Sequence, residues 1–141
     1  LSKIVIFIYR IAYWLHERNV PLLPQLINKV FLRIIFSCQI GLGAVIGEDV
    51  DLGYGGLGVV IHPRAIIGDK VSIGSCVTIG GRSGKFQVPV ISDGCDIGSG
   101  AKILGPVKIG KNCSIGANAV VLHDVPDNHI AVGVPAQNRP K

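Results

Sequence analysis

From Ile40 onward an aliphatic side chain returns every sixth residue, and few folds accommodate that period. The series runs Ile40, Ile46, Leu52, resumes at Ile61, Ile67, Ile73, Ile79, and resumes again at Ile91, Ile97, Ile103, Ile109, Ile115 and Val121. Four places on stands a second small or branched residue: Ala44, Val50, Ala65, Val71, Val77, Cys95, Ala101, Val107, Cys113, Ala119 and Val125. Glycine commonly follows the aliphatic residue, as at Gly41, Gly47, Gly68, Gly74, Gly98, Gly110 and Gly116. A period of six fits neither a 3.6-residue helix nor simple strand alternation. It fits short strands joined by tight turns, with two inward side chains per hexad and glycine where the backbone turns sharply. Three hexads close a triangular coil, and successive coils bond as parallel strands about 4.8 Å apart. The pattern predicts a mainly β fold, a parallel β-helix over residues 38–137, with 138–141 as a tail.

The remaining sequence narrows the choices. Residues 1–37 hold Lys3, Arg10, Arg18, Lys29 and Arg33 against Glu17 alone, so they carry +4 of the chain's net +5. The body is nearly neutral, which argues against a nucleic-acid surface there. Cys38, Cys76, Cys95 and Cys113 show no metal-site spacing, so reduced thiols in the cytoplasm are expected. Cys95 and Cys113 lie one coil apart at the inward position; free buried thiols are the expectation, a disulfide the alternative. The apolar stretch from Ile4 to Leu15 is interrupted by Arg10, which suits neither a secretory signal nor a membrane span.

Residues 1–37 predict two amphipathic helices. In the first, Ile4, Phe7, Ile8, Ile11, Trp14 and Leu15 share a face; after Pro21 and Pro24 the second presents Leu26, Ile27, Val30, Phe31, Ile34 and Ile35. These helices are expected to cap the open end of the β-helix. A second reading rests them on an acidic membrane face, as a peripheral contact at the inner surface, given the basic charge and Tyr9, Tyr13 and Trp14.

Interruptions of a solenoid are where function concentrates. One insertion, around Gly53-Tyr54-Gly55-Gly56-Leu57-Gly58, adds three residues; another, from Gly81 to Gln87, adds six. Both flank one face of the prism. His62 lies on that face and is expected to stack on Gly80, one coil away. Among His16, His62, His123 and His129, His62 is the candidate general base, with a simple turn residue as the competing reading.

The stretches Val71-Ser72-Ile73-Gly74, Val77-Thr78-Ile79-Gly80-Gly81 and Ile97 to Gly105, with the tail Val132-Gly133-Val134-Pro135-Ala136, resemble hexapeptide-repeat serine O-acetyltransferases over about residues 38–137. The resemblance implies a left-handed coil, a homotrimer with sites between adjacent prisms, acetyl-CoA as donor and no metal. It places the coenzyme along Gly81, Ser99 and Ala117; the family's phosphate-side lysine, near Ser114, is missing here, and Lys111 or Lys102 is expected to serve in its place. The chain departs from that family where an Asp-His pair is usual, reading Gly53-Tyr54; Gln39 and Val88 stand where a supporting Asp and a substrate His are usual. His62 is then the base and Tyr54 its partner. The Gly-Gly-Leu-Gly-Val-Val stretch and the N-terminus are similar to polysaccharide-cluster O-acetyltransferases. A sugar hydroxyl is therefore placed ahead of serine as acceptor, with a non-catalytic trimeric scaffold as the third reading.

Overall fold

The computed structural model describes residues 1–141. Helix α1 (Ser2–Glu17) is followed by α2 (Leu23–Ile27), which continues as a π-helical stretch, Asn28–Ile35, into the first strand. The strands then wind as a three-faced solenoid. The first face stacks β1 (Gln39–Ile40), β4 (Val60–Ile61), β7 (Thr78–Gly80), β10 (Lys102–Leu104) and β13 (Val120–Val121). The second stacks β2 (Val45–Ile46), β5 (Ile66–Ile67), β8 (Val90–Ile91) and β11 (Lys108–Ile109). The third stacks β3 (Asp51–Leu52), β6 (Ser72–Ile73), β9 (Asp96–Ile97), β12 (Ser114–Ile115) and β14 (His129–Val132). All these pairings are parallel; β15 (Gln137–Pro140) closes the third face antiparallel to β14, so residues expected to trail off form an edge strand instead.

Register reports the insertions directly. Ile61 pairs with Ile79, one eighteen-residue coil on, whereas Ile40 pairs with Ile61 and Ile79 with Ile103, three and six residues further than that. Both insertions end by restoring the small inward position, with Val59 and Pro89 buried there. Every residue of the two inward series is buried except Ile46, at the first coil's edge. Neighbouring coils therefore stack aliphatic on aliphatic, most often isoleucine on isoleucine.

The glycine that follows most of these isoleucines has a different role from the one its position suggests. A Cβ at Gly98 would stand 2.6 Å from the Ala117 amide nitrogen and 2.8 Å from the Ile115 carbonyl oxygen. These glycines are small because the next coil's backbone lies against them. The left-handed turn residue comes two places later, where Asp49, Lys70, Cys76, Asn112 and Asn118 all hold φ near +55°. Asparagine and aspartate tolerate that region well, so the turn does not depend on glycine.

Cys38, Cys95 and Cys113 are buried and free, and Cys76 is exposed. The Cys95 and Cys113 thiols each donate to a carbonyl at 3.0 Å, of Gly110 and Pro126. Burial pushes Cys38 and Cys95 up to about 11, which depletes the reactive thiolate. A disulfide-exchange reagent should therefore label one thiol per native chain quickly, at Cys76, and all four only after unfolding. Fast labelling of Cys76→Ser would contradict this.

Helix α1 covers the open end of the first coil. Val5, Ile6, Tyr9 and Ala12 are buried there. The Tyr9 hydroxyl sits 2.7 Å from the Ala44 carbonyl oxygen and 3.1 Å from that of Gly41, donating its one proton between them. Burial above all, then the neighbouring Tyr13, raises its pKa. The Ser2 hydroxyl accepts the Leu52 amide at 2.7 Å, and Asn28 Nδ2 donates to the Ile40 carbonyl at 2.7 Å. The cap is made by a different face from the one the apolar period suggests. Ile4, Phe7, Ile11 and Trp14 point outward, because Tyr9 packs inside by bonding exposed coil carbonyls while Val5 and Ala12 allow close approach.

Candidate active site

His62 follows β4 at the corner between the first and second faces. Its amide donates to the Ile79 carbonyl at 2.8 Å, which seats it level with Gly80. The ring leans towards the root of the longer insertion. A Cβ at Gly81 would lie 3.8 Å from His62 Cδ2, 3.9 Å from Nε2 and 4.0 Å from Val88 Cγ1. One edge of the ring thus faces an open notch, between a residue with no side chain and the returning arm of the loop.

The Arg64 amide donates to His62 Nδ1 at 3.1 Å. With that lone pair engaged, the neutral ring carries its proton on Nε2 and offers a donor to the notch. Accepting a proton at Nε2 requires the ring to leave the Arg64 amide and carry its proton on Nδ1. Such a bond is worth about 0.5–1.5 kcal/mol net, so the change is inexpensive. Arg64 also reaches outward. Its guanidinium carbon stands 3.9 Å over the Phe86 ring, tying the loop to the His62 turn. The loop turns tightly, with Arg82 paired to Lys85 around Ser83-Gly84, and Arg82 to Gln87 holds two basic residues and no acidic one.

Tyr54 occupies a different corner, between the third and first faces. It holds φ +53° within a short 3-10 turn and is 83% exposed. Gly53 lies on Gly74, Gly74 on Ser99, and Gly98 on Ala117, so Tyr54, Ser99 and Ala117 form one column. Within a single chain the first face separates this column from His62 and Gly81, and Tyr54 does not meet His62. Lys111 stands at the third corner, where its amide donates to Asp127 Oδ1. Lys102 is the lysine beside Ser99, but its ammonium donates to the carbonyls of Cys76, at 2.7 Å, and Gly100, at 2.9 Å.

The backbone amides of Gly81, Ser99 and Ala117 make no hydrogen bond within the chain. They are unpaired donors on exposed turns, which fits a pantetheine arm or a carbonyl oxygen needing amide partners. Sequence reasoning missed Arg64 and Phe86. Pro63 signals a turn after His62, but a stack between a turn and a loop has no periodic signature.

Residues 89–123 match the bacterial transferase hexapeptide (six repeats) family. Serine acetyltransferase of Mycobacterium tuberculosis is 44% identical over 131 residues, covering 92% of this chain and 56% of that protein. Serine acetyltransferase of Helicobacter pylori is 39% identical over 132 residues, covering 92% of this chain and 75% of that one. This chain belongs to the serine acetyltransferase family. A solved serine acetyltransferase in complex with CoA superposes with a TM-score of 0.89 at 36% identity, over 96% of this chain and 55% of that one. The fold is thus the left-handed β-helix of these acyltransferases, helices included. The chain spans little more than half the length of the first curated relatives it matches.

Gly81 offers a test of the notch in this family member. Its φ lies outside the left-handed region and an added Cβ meets only ordinary contacts. Gly81→Val should fold normally, with an unchanged melting temperature, yet screen the ring edge, so that chemistry dependent on His62 in this notch falls about tenfold or more. Full activity in that variant would move the reacting centre elsewhere.

Proposed function

We propose that this chain transfers an acetyl group from acetyl-CoA to a hydroxyl, with His62 as general base and serine as the acceptor. The observation that carries the chemistry is the His62 ring edge facing the notch at Gly81, at the root of the loop. The serine acceptor is supported by the relatives' names, which reverse the order that sequence reasoning gave to sugar and serine.

A hydroxyl is too weak an acid to lose its proton unaided at neutral pH, so a placed imidazole contributes about 10²–10⁴-fold. Acetyl-CoA supplies a thioester carbonyl for the hydroxyl to attack and a thiolate that leaves readily. His62 would take the hydroxyl proton at Nε2 and return it to the leaving sulfur, closing the proton balance without a metal or a covalent enzyme adduct. The amide column at Ser99 and Ala117 would line the coenzyme arm, and Arg82 and Lys85 suit its phosphates.

Because the first face separates His62 from that column, the reading places each site between two prisms of a homotrimer. His62 of one subunit would then serve coenzyme lying along the neighbour's Ser99 and Ala117, where Tyr54 could also contribute.

A sugar hydroxyl is the second reading. It is favoured by Gly53-Tyr54, Gln39 and Val88, which supply none of the carboxylate and imidazole groups that the family resemblance places there. An acceptor screen decides, following thiol released from acetyl-CoA with serine and with nucleotide- and lipid-linked sugars. Serine-dependent release supports the first reading, and release with sugars alone replaces it with the second. No release with any acceptor, by protein that binds no coenzyme, would leave a scaffold.

A further inference from the structure

Helix α1 is apolar on two opposite sides. One side, Val5, Ile6, Tyr9 and Ala12, is spent on the coil end. On the other, Ile4, Phe7, Ile11 and Trp14 recur at helical spacing and are 52, 63, 41 and 52% exposed. The second helical segment packs beside α1 and leaves Leu26, Phe31, Ile34 and Ile35 exposed as well. Of the eighteen large apolar side chains exposed on the chain, eleven lie in residues 1–37. Single exposed apolar residues are ordinary, but this density marks a surface that something covers.

Charge indicates what covers it. Lys3, Arg10, Arg18, Lys29 and Arg33 are all exposed around these side chains, and Glu17 is the one acid in the segment. Arg10 is paired with Glu48 of the first coil at 3.1 Å; the other four have no carboxylate within salt-bridge distance. Two copies docked through this surface would set five basic residues against five, with Glu17 and the coil-edge acids Glu48, Asp49 and Asp51, which line one cleft with Lys3, Phe7 and Arg10, as too little counter-charge. A bilayer with anionic headgroups supplies that charge, while the apolar side chains enter the acyl boundary. The Arg18 guanidinium carbon lies 3.7 Å over the Trp14 ring, pairing a cation with an amphipathic ring of the kind that favours headgroup depth. No helix is long and apolar enough to cross a membrane, so contact is in the plane.

We propose that residues 1–37 form a monotopic surface that binds bilayers containing anionic phospholipid, with the solenoid standing on it through the Tyr9 side of α1. The proposal is independent of the acceptor. Co-sedimentation of the full chain with phosphatidylcholine vesicles, with and without phosphatidylserine, tests it. Binding should require phosphatidylserine, weaken with added salt, and fall about tenfold or more in the Phe7→Ser, Trp14→Ser double variant. That variant changes exposed side chains only and should keep the native melting temperature and native acetyl transfer to a soluble acceptor. Absence of phosphatidylserine-dependent binding, or binding that the double variant leaves unchanged, overturns the proposal. So does a higher oligomer of the native chain that the double variant dissociates, because the occupant would then be a second copy.

Discussion

Replacing His62 with alanine is expected to slow acetyl transfer about a hundredfold or more, the usual contribution of a positioned base. The KM for acetyl-CoA should hardly move, because the coenzyme arm is assigned to the Ser99 and Ala117 column. Stability should hardly move either, since the His62 ring is half-buried and its one hydrogen bond is to the Arg64 amide. Asparagine separates chemistry from turn structure. His62→Asn can still accept the Arg64 amide, as Asx turns do, yet it cannot take up a proton at neutral pH. A turn histidine predicts that asparagine restores function, whereas a base predicts two equally slow variants with native melting curves. A hundredfold loss is about 2.7 kcal/mol of barrier, larger than the Nδ1 bond that the ring must give up. If both variants keep near-native turnover, the base assignment fails and Tyr54 is tested next.

Tyr9→Ala is the substitution expected to cost the most stability, about 3–5 kcal/mol, as for other large aromatic side chains emptied from a core. Tyr9 is 2% exposed, and its hydroxyl meets the Ala44 carbonyl, whose equivalent one coil on, at Ala65, accepts the Val45 amide, and the Gly41 carbonyl, which also accepts the Ala44 amide. Tyr9→Phe keeps the packing and removes one donor, so it should cost only about 1 kcal/mol. Urea unfolding of the three proteins measures both steps. The ratio matters more than either number. If Tyr9→Phe costs as much as Tyr9→Ala, the hydroxyl and not the ring holds the cap; if Tyr9→Ala costs under about 1 kcal/mol, α1 is not part of the cooperative fold.

The solenoid was legible because its cause is periodic. Two inward side chains per hexad leave a record that survives insertion, so the period alone places Ile61 on Ile79 and locates both breaks. The glycine rule was half legible: close approach of the next coil at Gly98 and a left-handed turn at Asn118 both favour small or polar residues, and composition alone cannot assign which position does which. The helices were legible as helices, but their orientation was not. An apolar stripe normally faces inward; here the stripe with Phe7 and Trp14 faces out, and a tyrosine with two carbonyl partners faces in.

Within the site, the eighteen-residue coil brought His62 to Gly80 correctly, since no insertion lies between them. Counting hexads in threes also separates the corners, since Tyr54 follows the third hexad of its coil and His62 the first of the next. Tyr54 therefore joins Ser99 and Ala117 and is separated from His62, and Lys111 stands at a third corner. The Arg64 amide on His62 Nδ1 and the Arg64 stack on Phe86 depend on turn geometry and side-chain reach, which no repeat encodes.

Turnover assays depend on supplying the right acceptor; coenzyme binding does not. Titration calorimetry of acetyl-CoA into the purified full chain therefore tests the central claim most directly. Saturable binding at one site per chain is predicted, retained in His62→Ala and weakened when Ser99 is replaced by proline, which removes an amide donor. No binding of acetyl-CoA or CoA by the folded native protein would contradict the account and leave the β-helix as a scaffold.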